Sequence, residues 1–223
     1  MVVGLPREEG YKVLTMARYT DADCRLCRRT GEKLFLKGER CYTPKCAIDR
    51  RKHPTGEHIS RRRRVSDSGI QLKEKQKARF TYGLLEKQFR GYFTKAQKSP
   101  GITGDALLTL LEQRLDNVVY RASFADSRDQ ARQLVCHGHF DVNGRRLDIP
   151  SYNVKVGDVI SWRETSKKTE IYKVSVEGLP RRTVPTWLDL DVAKVEVKVQ
   201  SIPEVVEIAE TIDTRLIVEH YSR

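Results

Sequence analysis

The chain has 223 residues, enough for one large domain or two small ones but not for a big catalytic domain as well. Its formal charge of +12, from 42 Lys and Arg against 30 Asp and Glu, favours a polyanionic partner without separating RNA from DNA or an anionic membrane. No segment approaches the ~18 apolar residues needed to cross a bilayer, and the N-terminus lacks an apolar core of signal-peptide type, so a soluble cytoplasmic protein is expected.

Residues 1–15 hold Gly4, Pro6 and Gly10 with mixed charges and no clear period, and no stable element is predicted there. Four of the five cysteines then fall within 23 residues, as Cys24-x2-Cys27 and, thirteen residues on, Cys41-x4-Cys46. Two close thiol pairs on two turns can converge on one tetrahedral ion, and a structural Zn2+ held by four thiolates is expected to organise residues 16–60. Four cysteines would also suit an iron–sulfur cluster, while a pair of disulfides is disfavoured in a cytoplasmic setting. A closed four-sulfur shell leaves no open position for catalysis.

The basic excess lies in residues 18–100, which hold 23 Lys and Arg against 9 Asp and Glu; residues 101–223 hold 17 against 19. Arg61 to Arg64 are consecutive, and four adjacent guanidiniums repel one another unless anions are present, so this run expects phosphate. Apolar spacing through Phe80, Leu84, Phe89 and Phe93 predicts a helix over 74–93, with Lys75, Arg79 and other cations elsewhere on it. The stretch 98–104 carries a proline and two glycines and predicts a break, after which Leu107, Leu108, Leu111, Leu115, Val118 and Val119 predict a helix over 105–121.

Ser127 and Gln130 form a capping box that starts the next helix, which turns Ala131, Leu134 and Val135 inward and sets Arg128 and Arg132 four apart on another face. Cys136 is expected to fill a buried apolar position at its end. Asn143-Gly144 between Phe140, Val142, Leu147 and Ile149 is a strong hairpin signal. Short strands are expected around 154–162, another over 191–199, and a helix-prone segment around 205–212 before the apolar ending LIVEHY. Asp116 and Asp126 read as arginine partners or helix starters and not as general bases.

The combination RLDNVVYR, SRDQARQLV and HGHFDVNGRRLDIPSYNVKVGD, with MARYT at Met16, LKEKQKARFTYGLLEKQFR from Leu72 to Arg90, and LIVEHYSR at the end, resembles the small-subunit ribosomal protein S-four family and its RNA-binding module. The resemblance covers nearly everything after residue 15, which makes residues 1–15 an expected N-terminal extension. One departure is Ala122-Ser123-Phe124, where the family usually has Leu-Gly-Phe. The resemblance implies an α+β protein: a mostly helical N-terminal domain with a zinc knuckle (16–60) and a basic helical part (61–103), an inserted α/β module of helix-turn-helix plus small sheet (104–176), and a C-terminal segment (177–223) packing back on the N-terminal domain.

It further implies a non-catalytic, primary 16S rRNA-binding protein that nucleates assembly of the subunit body, contributes to accuracy, and touches small-subunit proteins five and twelve. Arg114, Arg121, Arg128, Arg132, Gln133, His137 and Asn143 are the RNA contacts it suggests in the module, with Arg61, Arg62, Arg64, Lys75 and Arg79 in the N-terminal domain. The first three of those N-terminal arginines would lie near the messenger entry channel. The same module occurs on RNA-modifying enzymes, but no G-x-x-x-x-G-K, nucleotide-binding glycine fingerprint or other catalytic motif accompanies it here. A zinc-containing regulator of DNA is the third class, and the cysteine spacing announces no recognition helix.

Overall fold

The computed structural model describes residues 19–54, 65–177, 179, 183–203 and 212–222. The extension over 1–15, Arg61, Arg62 and Arg64, and most of the helix-prone segment over 205–212 lie outside them.

Three apolar cores organise the described residues. The first is small: helix α1 (Cys24–Thr30), a 3-10 turn at Gly38–Tyr42 and short helix α2 (Ala47–Arg50) pack Leu26, Cys27, Leu34, Leu36, Cys46 and Ile48 around Phe80. Phe80 belongs to α3 (Asp67–Thr81), so this loop-rich segment is fastened to the helical body through one aromatic side chain. The second core joins α3, α4 (Glu86–Lys98), α5 (Thr103–Glu112) and the final helix α9 (Thr214–Tyr221) around Phe89, Phe93, Leu107, Leu108, Leu111 and Ile217. Each fully buried large side chain of this kind stabilises by about 1.5–3 kcal/mol.

The C-terminal helix returns to α3 and α4 through specific polar contacts as well. Gln71 Nε2 donates to Glu219 Oε2 at 2.9 Å, Tyr221 Oη donates to Glu86 Oε1 at 2.8 Å, and the Tyr221 ring stacks on Phe93 at 4.4 Å. Chain ends far apart in sequence thereby close one core.

The helix expected over 74–93 is two helices. Tyr82 caps α3, Gly83 takes φ +61°, and Leu85 is extended, so the chain turns a corner before α4 begins. The helix expected over 105–121 is also broken. Arg114 leaves the helical region with ψ 138° between α5 and α6 (Leu115–Arg121), and its buried side chain bonds Asp116 and Tyr92. Apolar residues continue at near-helical spacing through both short corners, residues 82–85 and 113–114, so periodicity hides them.

The third core belongs to α6, α7 (Arg128–Cys136) and an antiparallel sheet ordered β2-β1-β3-β5-β4. Its strands are β1 (Phe140–Val142), β2 (Arg145–Arg146), β3 (Val159–Trp162), β4 (Leu188–Asp191) and β5 (Glu196–Val199). Helix α7 begins where the capping signal put it: Ser127 Oγ accepts from the Gln130 N–H at 3.2 Å, and Gln130 Oε1 accepts from the Asp126 N–H at 2.8 Å. Asn143 and Gly144, at φ 51° and 75°, turn the β1–β2 hairpin.

Two expectations change in this region. The strand predicted over 191–199 is a hairpin, because the Asp191 carboxylate accepts the N–H groups of Ala193 and Lys194 and folds the chain back into β5. Strand β5 pairs with β3 and β4 with β5, and Trp187, Leu188, Val195, Val197 and Val199 fill the module's core, so of the described residues after 176 those that pack into the N-terminal helical core are Ile212 and residues of α9. Helix α8 (Glu170–Val176) carries Tyr172 and Val176 against the same module core.

Candidate nucleic-acid interface

Two carboxylates at the junction of α5 and α6 organise the arginines. Glu112, fully buried at the end of α5, accepts from Arg121 through both oxygens, Nη2 to Oε1 at 2.8 Å and Nε to Oε2 at 2.9 Å. Tyr82 Oη donates to it at 2.7 Å, Asn117 Nδ2 at 2.6 Å, and Arg128 Nη2 lies 4.0 Å away. Asp116 accepts a second fork, Arg114 Nε at 3.0 Å and Nη2 at 2.6 Å, and a further bond from Arg132 Nη1 at 3.3 Å. Asn117 joins the halves: its side-chain carbonyl accepts from Arg128 Nε at 2.8 Å, and its backbone N–H donates to Asp116 at 2.9 Å. Forked guanidinium–carboxylate pairs of this kind fix direction as well as distance.

Burial pushes the Glu112 carboxyl up, but the charges of Arg121 and Arg128 and the bonds from Arg121 and Tyr82 outweigh it, leaving its pKa below the usual carboxylate value. The reciprocal effect raises Arg121: burial lowers it and the Glu112 charge more than compensates. Tyr82 is pushed well up by burial and by the same carboxylate, so its hydroxyl stays a donor. The Arg128 guanidinium also stacks 4.4 Å from the Tyr120 ring centre and 5.1 Å from that of Tyr82. Four guanidiniums on two carboxylates leave an excess of two positive charges along the edges that reach solvent.

The expected contacts divide accordingly. Arg121, Arg128 and Arg132 come together, with side chains 27%, 15% and 15% exposed. Gln133 and His137, also expected, are exposed at the end of α7, alongside Cys136, which is not the buried apolar residue anticipated. Arg114 is corrected: at 1% exposure it holds Asp116 and Tyr92 and has no free edge for RNA. Asn143 is exposed as a residue, yet its amide is used internally, donating to Asp158 Oδ1 at 2.8 Å and accepting the Val159 N–H at 2.9 Å.

In the N-terminal domain Lys75 is likewise corrected. It is almost fully buried, donates to Glu86 at 2.8 Å and lies over the Tyr221 ring, a contact between α3 and α9. Arg79 is partly exposed, 3.6 Å from Glu86 and stacked on Phe80.

Glu112, Asn117, Tyr82 and Tyr92 were not anticipated as members of the network. A glutamate directly after four leucine-rich positions, seven residues before the end of an apolar stripe, is the one sequence signal that could have found it. Arg145 and Arg146 were also missed; both are exposed on β2, next to the turn residues that drew attention.

The four clustered cysteines are free thiols, three of them buried. Burial raises the Cys27 thiol, a hydrogen bond from the Leu34 backbone lowers it, and Cys41, Cys24 and Cys46 are all close enough to raise it further. The Lys37 N–H also points at Cys41 Sγ at 3.4 Å. Among the described residues, no three His, Cys, Asp or Glu side chains are arranged as a metal-holding group. Cys27 and Cys46 share the small core around Phe80, and backbone donors point at the sulfurs of Cys27 and Cys41.

Comparison with known proteins adds independent findings. Residues 18–112 match the family model described as "Ribosomal protein S4/S9 N-terminal domain", and residues 113–160 match "S4 domain". Proteins named "Small ribosomal subunit protein uS4" are similar over 208 residues, 93% of this chain and 100% of theirs. The identity is 56% for those of Pelotomaculum thermopropionicum and Geobacter sp. strain M21, and 54% for that of Clostridium tetani. No helix among the described residues is long and apolar enough to cross a membrane.

Proposed function

The chain belongs to the ribosomal protein S4 family, and from that premise we propose how its surfaces serve the small ribosomal subunit. It is a structural, non-enzymatic component of that subunit in the cytoplasm and binds 16S rRNA. The observation that carries the RNA reading is the array of Arg121, Arg128 and Arg132 on buried Glu112 and Asp116. Phosphates of a folded junction meet guanidiniums whose directions are already fixed, so little side-chain entropy is lost on binding. Gln133, His137, Arg145 and Arg146 are also exposed on the module and add polar and cationic groups to its surface.

In this reading the protein binds early, holds RNA helices in a fixed relation and so nucleates the subunit body. Filter binding to a transcript of the 16S five-prime domain across a salt series tests it. Tight binding that weakens steeply with salt, and that competitor duplex DNA does not displace, is expected. Equal affinity for the DNA would overturn it.

The four cysteines would hold a structural Zn2+ that ties α1 to the turns after it, with the Leu34 and Lys37 N–H groups supporting two of the thiolates. An iron–sulfur cluster is the lesser reading. Metal analysis of protein purified without tags or chelators should return one zinc per chain, and Cys27→Ser should lose it. The family resemblance also supports contacts with small-subunit proteins five and twelve. It supports a role for Arg61, Arg62 and Arg64 in holding unwound messenger at its entry; normal translation through a stable messenger hairpin after replacing all three would reject that role.

A further inference from the structure

The hairpin side of the module holds a cleft that the arginine array does not use. It has a volume of about 450 Å3 and is lined by Val142, Asn143, Arg145, Arg146, Leu147 and Tyr152. That lies within the range of small-ligand clefts, about 300–1,000 Å3. Its walls combine two aliphatic side chains, one aromatic ring and two exposed guanidiniums, with no carboxylate in the lining.

The ring is set in place from several directions. The Tyr152 N–H donates to the Ile149 carbonyl at 3.1 Å, and its own carbonyl accepts from Leu115 at the start of α6 at 2.9 Å. Its side chain packs partly against the module core, and its hydroxyl bonds Asp158, which in turn accepts from Asn143 and the Lys155 N–H. Arg146 is held over the turn between α7 and β1: a methyl placed on Gly138 would fall 2.5 Å from its Nε. Its side chain is 52% exposed and its pairing with Asp148 is loose, at 4.0 Å.

We propose that this cleft takes one unstacked nucleotide of the bound RNA, its base lying against Tyr152 between Val142 and Leu147 and its phosphate meeting Arg145 and Arg146. This rests on the RNA-binding reading above and adds a site to it. Single-stranded nucleotides are commonly held by an aromatic face flanked by arginine. Because the Asn143 amide is already committed to Asp158 and Val159, no side-chain amide in the cleft reads the base edge, and the site accepts any base that the RNA fold delivers.

Two variants of the full-length chain separate stacking from structure: Tyr152→Phe keeps the aromatic face and loses the bond to Asp158, whereas Tyr152→Leu keeps apolar volume and loses the face. Binding to the five-prime domain transcript should be near wild type for Tyr152→Phe and about tenfold or more weaker for Tyr152→Leu. Ribose acylation probing should show one unpaired nucleotide protected by the wild type and by Tyr152→Phe but not by Tyr152→Leu. Wild-type affinity and protection in Tyr152→Leu would overturn the proposal and leave the RNA reading intact. Equal losses in both variants would assign the ring to its bond with Asp158 and overturn it too. Failure of the wild type to bind would instead reject the RNA reading and the cleft site with it.

Discussion

Replacing Glu112 by Gln tests the array most directly, because one carboxylate serves Arg121, Arg128, Asn117 and Tyr82 at once. Glutamine preserves the shape and loses the charge, leaving two guanidiniums facing a neutral amide. Removing one partner of a buried pair costs about 3–5 kcal/mol, and the lower end applies here because Arg121 and Arg128 each keep an edge in solvent. For a chain of this size roughly 3 kcal/mol lowers Tm by about 6–12 °C.

The same residue sets a pH dependence. Glu112 has a lower pKa folded than unfolded, so its contribution is fully present above the unfolded carboxylate value, ~4.3, and is lost as pH falls through the depressed folded value. Urea unfolding of wild type and Glu112→Gln should therefore show a gap at pH 7 that narrows as pH falls below about 4. A gap under 1 kcal/mol at pH 7, or one unchanged down to pH 3, would refute the idea that this carboxylate anchors the network.

Arg132→Ala, which loses one long bond at the network's solvent edge, should flatten the salt dependence of RNA binding by about one phosphate contact and barely change Tm. Arg114→Ala should do the reverse, lowering stability by about 3 kcal/mol while the folded fraction keeps its salt slope; salt-series binding beside thermal melts compares the two. Ser123 has φ +65° and a buried hydroxyl without a hydrogen-bond partner among the described residues, so Ser123→Gly should stabilise by about 1 kcal/mol after allowing for the extra freedom of glycine in the unfolded chain, read as a rise in Tm. Gly104→Ala would put a methyl 2.6 Å from Thr214 Oγ1 and force α5 away from α9, and calorimetry should show a loss of about 1–3 kcal/mol.

Local signals in the sequence carried well where the structure depends on neighbours. The Ser127–Gln130 cap and the Asn143-Gly144 turn are decided within four residues, and both stand as expected. Asp116 as an arginine partner was legible for the same reason: Arg114 is two residues away. Corners such as Tyr82-Gly83 and Arg114 were not legible, because apolar spacing carries on through them. Nor was the destination of β4 and β5, since β5 pairs with β3, as Ser161 with Glu196 and Val159 with Lys198, across a long stretch of chain and brings β4 with it. Lys75 misled because a cation's charge is visible in sequence while its partner Glu86, across a turn, is not.

The arginine array also shows why counting cations misidentifies contacts. Four guanidiniums brought together without counter-charge would repel one another and point wherever solvent allowed; Glu112 and Asp116 let them share a small volume in fixed orientations. Glu112 is held in turn by Tyr82, from the corner after α3, and Arg114, the partner of Asp116, by Tyr92 of α4; both tyrosines belong to the N-terminal helical core. The joint between the helical body and the module is therefore the same network that orients the solvent-facing edges of Arg121, Arg128 and Arg132. Because Glu112 ends α5 while Asn117 and Arg121 lie on α6 and Arg128 on α7, a shift of α6 and α7 against that core alters the contacts at Glu112. On the proposed RNA reading, a folded junction that fits those edges selects one arrangement of the two cores, and an altered arrangement should weaken binding to it.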